Sequence, residues 1–163
     1  MTDKFIDLHT HSIFSDGSMT PKELVQKAYF AGLSAISLTD HDTVSGVKEA
    51  VEAGREYGVE VVPGIELSAL SDTETHILGY FIDIDNPDLE KLLKNIVKVR
   101  RDRILETCEI LSKNNISIRL HEVEEISGGN ILCRAHIARV MTDKGYSVSP
   151  KEAFATWLGV GCP

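Results

Sequence analysis

The chain has 163 residues and a mass of 18.0 kDa, the size of one domain or slightly more. Hydrophobic residues make up 42% and charged residues 26%, ordinary globular values that exclude a disordered or collagen-like protein. The net charge of −8 argues against general polyanion binding over the whole surface. The sequence shows no long apolar run and no secretory pattern, and its three cysteines form no CxxC pair. We therefore expect a cytoplasmic protein with reduced thiols and no membrane span.

Short apolar runs alternate with helical patterns in residues 1–84. Thr20, Pro21 and Glu23 together predict a helix start, and a second helix over residues 45–57 should end at Gly58. Strands that alternate with helices predict βαβ units and a mainly parallel sheet. The predicted strands are 5–9, 35–39, 59–62 and 75–82.

The pattern after residue 84 is helical. Asn86 and Pro87 begin an amphipathic helix that runs to about Asn114. Residues 116–120 are the one further strand that the pattern allows. We expect an α/β domain over residues 1–84 and a small helical domain over residues 85–163. The shorter helices of the second part are predicted near 121–126, 135–144 and 150–158.

The two parts differ sharply in charge. Residues 1–84 contain 5 Lys and Arg against 14 Asp and Glu, a net charge of −9, whereas the remainder has 12 against 11, a net charge of +1. A solvated helix face is the ordinary explanation of the basic run that opens the second part. The alternative is a basic flank for an anionic substrate, beside an acidic half that binds cations. The run comprises Lys91, Lys94, Lys98, Arg100, Arg101 and Arg103.

Histidines and acids collect at the predicted strand ends. His9 and His11 are two residues apart in a strand-like segment, so both side chains emerge on one face. The ends of successive parallel strands meet at one edge of a sheet, where α/β enzymes build their sites. Imidazoles and carboxylates without thiolates suit Zn²⁺, Mn²⁺ or Fe²⁺. The other members are Asp16 in the next turn, His41 after the second strand, Glu66 after the third and His76 in the fourth.

Each of these residues has an ordinary structural alternative. A histidine at a strand end is commonly a hydrogen-bonded polar residue, and Asp16 with Gly17 alone indicates a turn. Asp40 and Asp42 alone are typical helix-capping residues. The joint pattern favours a centre with more than one metal ion, because every successive junction delivers a histidine or an acid.

Several segments resemble the PHP (polymerase and histidinol phosphatase) family, and in particular its TrpH-like branch of bacterial phosphoesterases. The resemblance implies an α/β fold: the first four strands of a distorted (βα)7 barrel plus a small helical insertion domain. The segments are DLHTHSIFSDG at 7–17, LTDHDT at 38–43, VVPGIELSA at 61–69, HILGY at 76–80, GGNILCRAHIARVM at 128–141 and EAFATWLGVG at 152–161.

The resemblance also implies two or three divalent metal ions, either Mn, Fe or Zn. A water that bridges such ions loses a proton near neutral pH and would attack the phosphate. The ligands would be His9 and His11 on the first ion, His76 on the second with Glu66 bridging the two, and Asp16 and His41 on the third.

Asp16, His41 and Glu66 would thus serve catalysis through the metal-bound hydroxide. The carboxylates of Asp7 and Asp40 would orient imidazole rings. None of these roles follows from the spacing of the residues alone.

The resemblance implies that the substrate is a phosphate ester, either a nucleotide 3′-phosphate or a short RNA trimmed from its 5′ end. Arg134 and His136 would face the metals, and Arg103 would also reach the phosphate, since a guanidinium binds phosphate oxygens in bidentate fashion. Arg134 at a helix surface and His136 in a structural role are the alternatives. Histidinol-phosphate hydrolysis and polymerase-linked proofreading are other activities of the family, which the helical segment with Arg134 disfavours.

The family pattern continues with further strands and ligands for which this sequence has no counterpart. A complete (βα)8 barrel typically takes about 250 residues. We prefer the interpretation that the sequence is part of a longer protein. The alternatives are a chain that forms homo-oligomers through an exposed sheet edge, and a natural truncation that binds metal weakly and has little activity.

Overall fold

The computed structural model describes residues 4–69, 75–159 and 162, so the end of the segment 152–161 lies outside the described residues. The chain divides into two compact units, Met1–Leu93 and Lys94–Pro163. The strands are β1 (Phe5–Thr10), β2 (Leu33–Leu38), β3 (Glu60–Ala69) and β4 (Thr75–Tyr80). The helices are α1 (Pro21–Phe30), α2 (Val47–Tyr57), α3 (Pro87–Lys113), α4 (Leu120–Ser127), α5 (Arg134–Asp143) and α6 (Pro150–Ala153), with a π-helical turn at Phe154–Leu158.

The α/β fold class is confirmed, with one four-stranded sheet in the order β1-β2-β3-β4. The predicted parallel arrangement holds for β1, β2 and β3, but β4 pairs antiparallel with β3. Treating the fourth strand as parallel is therefore wrong. The reason is the short connection at 70–74, because a parallel crossover needs a dozen or more residues.

The helix boundaries of the first unit follow the predicted signals. Thr20 Oγ1 accepts a hydrogen bond from Glu23 N at 3.2 Å, and the Glu23 carboxylate accepts one from Thr20 N at 2.8 Å. This capping box starts α1, and such a cap stabilises a helix by about 1 kcal/mol. Helix α2 ends at Gly58, whose φ of 72° is a conformation that favours glycine.

Apolar residues of α1, α2 and β2 form most of a core in the first unit. Ile36 and Leu38 on β2 are fully buried, which is expected of a central strand covered by helices. The partners contributed by α1, α2 and the residue that precedes β3 are Val25, Ala28, Ala50, Ala53 and Val59.

The second unit is helical, as predicted, and has its own core. Ile116 and Ile118 are buried in that core, but residues 116–119 have no regular structure and Leu120 begins α4. The strand that the pattern allows at 116–120 is therefore not formed. An alternating apolar pattern arises here because an extended connection between α3 and α4 buries every second side chain.

Helix α3 begins and ends as predicted. Asn86 Oδ1 accepts a hydrogen bond from Asp88 N at 2.9 Å, which caps the helix, and Pro87 occupies its first position. None of the helices in the described ranges combines the length and apolar composition that crossing a membrane requires.

The cysteines in the described residues are free thiols, as the sequence predicts. Burial, and secondarily the charge of Glu122, raises the pKa of the Cys108 thiol to about 11. Cys108 is therefore a protonated core residue near neutral pH and a poor nucleophile.

Strands β1 and β4 are the two edges of the sheet. Both carry exposed apolar side chains, among them Phe5 at 64% exposure and Ile77 at 55%. Unpaired strand edges favour association with another strand. Homo-oligomer formation through these edges stays a prediction.

Candidate metal centre

Backbone hydrogen bonds hold the segment that follows β2 beside β3, and this places His41 next to Glu66. Glu66 N donates to Asp40 O at 3.2 Å, and Asp42 N donates to Glu66 O at 2.8 Å. These two bonds flank His41, which forms a parallel bridge with Glu66. The Asp42 carboxylate, fully buried, also accepts a hydrogen bond from Ser68 N at 2.8 Å. The backbone therefore holds His41 and Glu66 side by side.

The reversed direction of β4 brings its first residues to the same edge. His76 lies opposite Ser68 in the antiparallel register, and Leu78 lies opposite Glu66. Since alternate residues share one face, His76 is the diagonal neighbour of Glu66 on that face. His76 therefore lies beside the other predicted ligands, although it reaches them through an antiparallel strand.

The Glu66 carboxylate lies among four imidazole rings. Its Oε2 atom is 3.1 Å from His9 Nε2, 3.2 Å from His11 Nε2 and 3.4 Å from His41 Nδ1. Its Oε1 atom is 2.8 Å from His76 Nδ1. Glu66 itself is only 4% exposed. One buried carboxylate is therefore the common neighbour of all four histidines at this edge.

Opposing effects act on the pKa of Glu66. Burial raises it, whereas the hydrogen bond with His9 and the charges of His41, His11 and His76 lower it, and the net pKa lies below the ordinary value. The carboxylate is therefore ionised near neutral pH, the form in which a glutamate binds metal.

A second carboxylate completes the cluster. Asp16 Oδ1 is 3.5 Å from His11 Nδ1, and Asp16 Oδ2 is 3.7 Å from His41 Nε2. Potential ligand atoms lie within 4.8 Å of one another in each of three overlapping sets. The sets are His9–His11–Glu66, His11–Asp16–His41 and His41–Glu66–His76.

The donor set fits divalent transition metals. It contains four imidazoles and two carboxylates, and thiolates are absent from the three sets found in the described residues. Such ligands suit Zn²⁺, Mn²⁺ and Fe²⁺. The two oxygens of Glu66 face different histidines, which is the arrangement that a bridging carboxylate needs.

Gly17 allows the loop after β1 to fold back closely on itself. A Cβ atom at this position would lie 2.6 Å from the His11 carbonyl carbon and 2.8 Å from that of Ser12. Gly17 N donates to Ser12 O at 2.9 Å. The close approach therefore requires glycine, and it carries Asp16 toward His11.

The two further carboxylates accept hydrogen bonds from the backbone and from the loop after β1, and their role in orienting imidazole rings stays a prediction. Asp7 is exposed, and its Oδ1 accepts a hydrogen bond from the backbone N of His9 at 3.1 Å rather than from a ring. Asp40 is 1% exposed and accepts hydrogen bonds from Ser12 and Ser15. In the part of the chain that the structure describes, Asp40 thus contacts the loop and not an imidazole.

The predicted substrate residues belong to the second unit. Arg134 donates to Leu158 O at 2.9 Å and lies over the Phe154 ring at 5.9 Å. His136 is 2% exposed, and its Nδ1 accepts a hydrogen bond from Cys133 N at 3.1 Å. These contacts agree with the structural alternative for His136. Substrate contacts of Arg134, His136 and the exposed Arg103 stay predictions.

Sequence reasoning missed the serines that support the centre. Ser12 and Ser15 are fully buried beside Asp40, although serine is usually exposed in loops. The available signal was two serines interleaved with His11 and Asp16 in a single turn. A periodicity argument does not detect such residues, because they lie in neither a helix nor a strand.

The chain resembles known proteins over nearly its whole length. It is 36% identical to a 5′-3′ exoribonuclease of Haemophilus influenzae, over 99% of this chain and 58% of that protein. It is 33% identical to a 3′,5′-nucleoside bisphosphate phosphatase of Chromobacterium violaceum, over 97% of this chain and 56% of that protein.

A solved structure has the same fold. It is an amidohydrolase from Chromobacterium violaceum with bound sulfate and no metal, which matches with a TM-score of 0.89 and 31% identity. The match covers 97% of this chain and 56% of that one, so our chain spans somewhat more than half the length of these relatives. The family model described as "PHP domain" matches residues 7–147. Together with the histidine and carboxylate cluster, these likenesses make the chain a member of the PHP domain family.

Proposed function

We propose that the chain carries the metal centre of a phosphoesterase that hydrolyses phosphate esters of nucleotides or short RNA. The observation that carries this proposal is the Glu66 carboxylate, which lies 2.8–3.4 Å from nitrogens of four histidines. The names of the relatives, an exoribonuclease and a nucleoside bisphosphate phosphatase, support a nucleotide substrate.

The geometry supports the distribution of ligands that the resemblance implies. Glu66 Oε2 faces His9 and His11, whereas Oε1 faces His76. A bridging Glu66 would therefore join a first ion on His9 and His11 to a second on His76. Asp16 and His41 would hold a third ion, since Asp16 Oδ2 faces His41 Nε2. Two or three ions of Mn, Fe or Zn are proposed.

The charge of the centre suits a phosphate. Glu66 and Asp16 supply the only negative charges of the three candidate ligand sets in the described residues. Two or more bound divalent ions would exceed these charges and leave a positive centre that attracts an anion. Such ions lower the pKa of a bound water and neutralise phosphate oxygens.

The chain itself fixes the bridging carboxylate in position and leaves the centre open to solvent. Backbone hydrogen bonds to Asp40 and Asp42 fix the main chain of Glu66, which limits how far its carboxylate must reorganise during the reaction. His9 and His76 are the exposed histidines of the cluster, with 48% and 29% of their side chains accessible, so the centre opens to solvent at β1 and β4. A substrate can therefore approach the centre from the side of His9.

A basic face on α3 supports an oligonucleotide substrate. Four basic residues follow at intervals of three or four and so share one side of the helix. Contacts with successive phosphates depend strongly on salt, and this dependence distinguishes a long substrate from a mononucleotide. The residues of the face, all exposed, are Lys91, Lys94, Lys98 and Arg101, the last of which also pairs with Glu124 at 3.1 Å.

Phosphate release tests the proposal. The chain, freed of metal and supplied with Mn²⁺, should release phosphate from a 3′,5′-bisphosphonucleoside, and a chelator should abolish the release. A 5′-phosphorylated oligoribonucleotide tests exonuclease action, which should weaken at high salt if the face on α3 binds it. Histidinol phosphate is the comparison substrate for the alternative activity.

Three outcomes would be informative. Tight metal binding without hydrolysis of any substrate would support the alternative of an inactive centre in this chain. If the chain hydrolyses histidinol phosphate in preference to nucleotides, the proposed nucleotide substrate is wrong and histidinol phosphate takes its place. Failure of the chain to bind Mn²⁺ or Zn²⁺ would contradict the proposed centre itself.

A further inference from the structure

Asp42 is a buried carboxylate to which the proposed function gives no role, and its backbone conformation is uncommon. It is 0% exposed, and its φ of 50° lies in the left-handed region that residues other than glycine seldom adopt. Aspartate and asparagine tolerate this region better than other side chains do. Asp42 lies in a turn directly after the bridge between His41 and Glu66, so this is where the chain leaves the sheet.

The Asp42 side chain extends the hydrogen bonding of the sheet by one step. Glu66 N donates to Asp40 O at 3.2 Å, and Glu66 O accepts from Asp42 N at 2.8 Å, the regular pattern of a parallel pair. The next bond of that pattern would join Ser68 N to the main-chain oxygen of Asp42. The structure gives Ser68 N a bond of 2.8 Å to Asp42 Oδ1. A side-chain oxygen therefore supplies an acceptor for β3 at the residue where the main chain turns away.

Ser68 is also the residue of β3 that lies opposite His76. The antiparallel register pairs Ser68 with His76 and Glu66 with Leu78. Strand β4 is an edge strand whose partner in the sheet is β3. The position of His76 therefore depends on the end of β3. Removing the acceptor at Asp42 would leave the Ser68 N–H without this bond and loosen that end of the strand.

We propose that Asp42 is a positioning residue, whose carboxylate holds β3 at Ser68 and thereby keeps His76 beside Glu66. This inference rests on the proposed metal centre, in which His76 binds the second ion. His76 Nδ1 is 2.8 Å from Glu66 Oε1, a contact that requires β4 to keep its place on β3. The two histidines proposed for the first ion lie in β1 or directly after it, so the bond at Ser68 does not position them.

Two substitutions of Asp42 separate the acceptor from the backbone conformation. Asp42→Asn keeps a side-chain oxygen, and asparagine tolerates a positive φ. Asp42→Gly adopts the same φ without strain but has no acceptor. Asn115→Gly is the control for introducing glycine, because Asn115 also has a positive φ, 64°, and is exposed in the second unit.

Titration with Zn²⁺, followed by NMR of isotope-labelled His9 and His76 rings, reports the two ions separately. Asp42→Gly should lower the affinity for the ion at His76 by about 10- to 100-fold, the usual effect of losing the support of a metal ligand, and for the ion at His9 by less than about threefold. Asp42→Asn and Asn115→Gly should change both affinities by less than about threefold.

The metal-free protein gives a second readout. The Ser68 amide should exchange with solvent about tenfold faster in Asp42→Gly than in Asp42→Asn, as expected from the loss of one hydrogen bond. In the wild-type protein, NMR should detect a coupling across the hydrogen bond between the Ser68 nitrogen and the Asp42 carboxyl carbon. Absence of this coupling would contradict the inference even if Asp42→Gly does not fold.

Two metal-binding results would also overturn this inference while leaving the metal centre intact. One is equal affinity of Asp42→Gly and Asp42→Asn for the ion at His76. The other is an equal loss at His9 and His76 in Asp42→Gly, which would indicate a general loss of structure. Absence of Zn²⁺ binding by the wild-type protein would instead overturn the metal centre and this inference together.

Discussion

Replacing Glu66 by glutamine is expected to lower the affinity of the chain for Zn²⁺ by at least about 100-fold, because losing even an indirect partner of a metal ligand costs 10- to 100-fold. The amide keeps the shape of the side chain but removes the negative charge that lies beside all four imidazoles. It also places an NH₂ donor where metal ions need a lone pair. Isothermal titration of metal-free protein measures the effect.

Glu60→Gln is the matched control for this prediction. Glu60 lies at the start of the same strand and is exposed, so the same chemical change there should leave Zn²⁺ affinity within about twofold. Equal affinities of the two glutamine variants would show that Glu66 is not a ligand.

Ile36→Ala should destabilise the protein by about 2–5 kcal/mol, the usual cost of removing most of a fully buried aliphatic side chain. Ile36 is 0% exposed and lies on the central strand β2, in register with Asp7 on β1 and Val61 on β3. Its side chain packs in a core cluster with residues of α1 and α2, so the cavity would lie against the sheet that positions the metal centre. Urea denaturation, followed by circular dichroism, measures the change in the free energy of unfolding.

Ile77→Ala serves as the control for the core substitution. Ile77 is 55% exposed on the edge strand β4, so its truncation should change the free energy of unfolding by no more than about 0.5 kcal/mol. A loss below about 1 kcal/mol for Ile36→Ala would contradict the assignment of Ile36 to the core.

The local signals for helices and strands were strong in this sequence. Thr20, Pro21 and Glu23 predicted a capping box that the structure contains, and Gly58 ends α2 as expected. These elements depend on a few neighbouring residues, so a single sequence is sufficient to find them.

Features that depend on pairing between distant segments were harder to predict. The pattern at 75–80 indicates a strand but not its direction, which the short connection at 70–74 sets. The alternation at 116–120 is the same in a strand and in an extended connection, and here a helical core covers it. In both cases the structure depends on the segment that pairs with these residues or packs against them. Hydrophobic periodicity does not identify that segment.

The candidate site likewise has one part that the sequence predicted and another that it did not. All six predicted metal ligands lie in one cluster, in which His9, Glu66 and His76 lie within strands and the other three follow β1 or β2. Their individual roles as ligands stay predictions. The support around them was not foreseen, since the bonds from Ser12 and Ser15 to Asp40 join residues that are far apart in sequence.

Anomalous diffraction from Zn²⁺-loaded crystals of the chain would locate the bound ions directly. We expect Zn²⁺ about 2.0–2.2 Å from His9 Nε2, His11 Nε2 and Glu66 Oε2, with a second ion on Glu66 Oε1 and His76. Anomalous peaks found only away from Glu66, for example on surface carboxylates, would contradict this expectation.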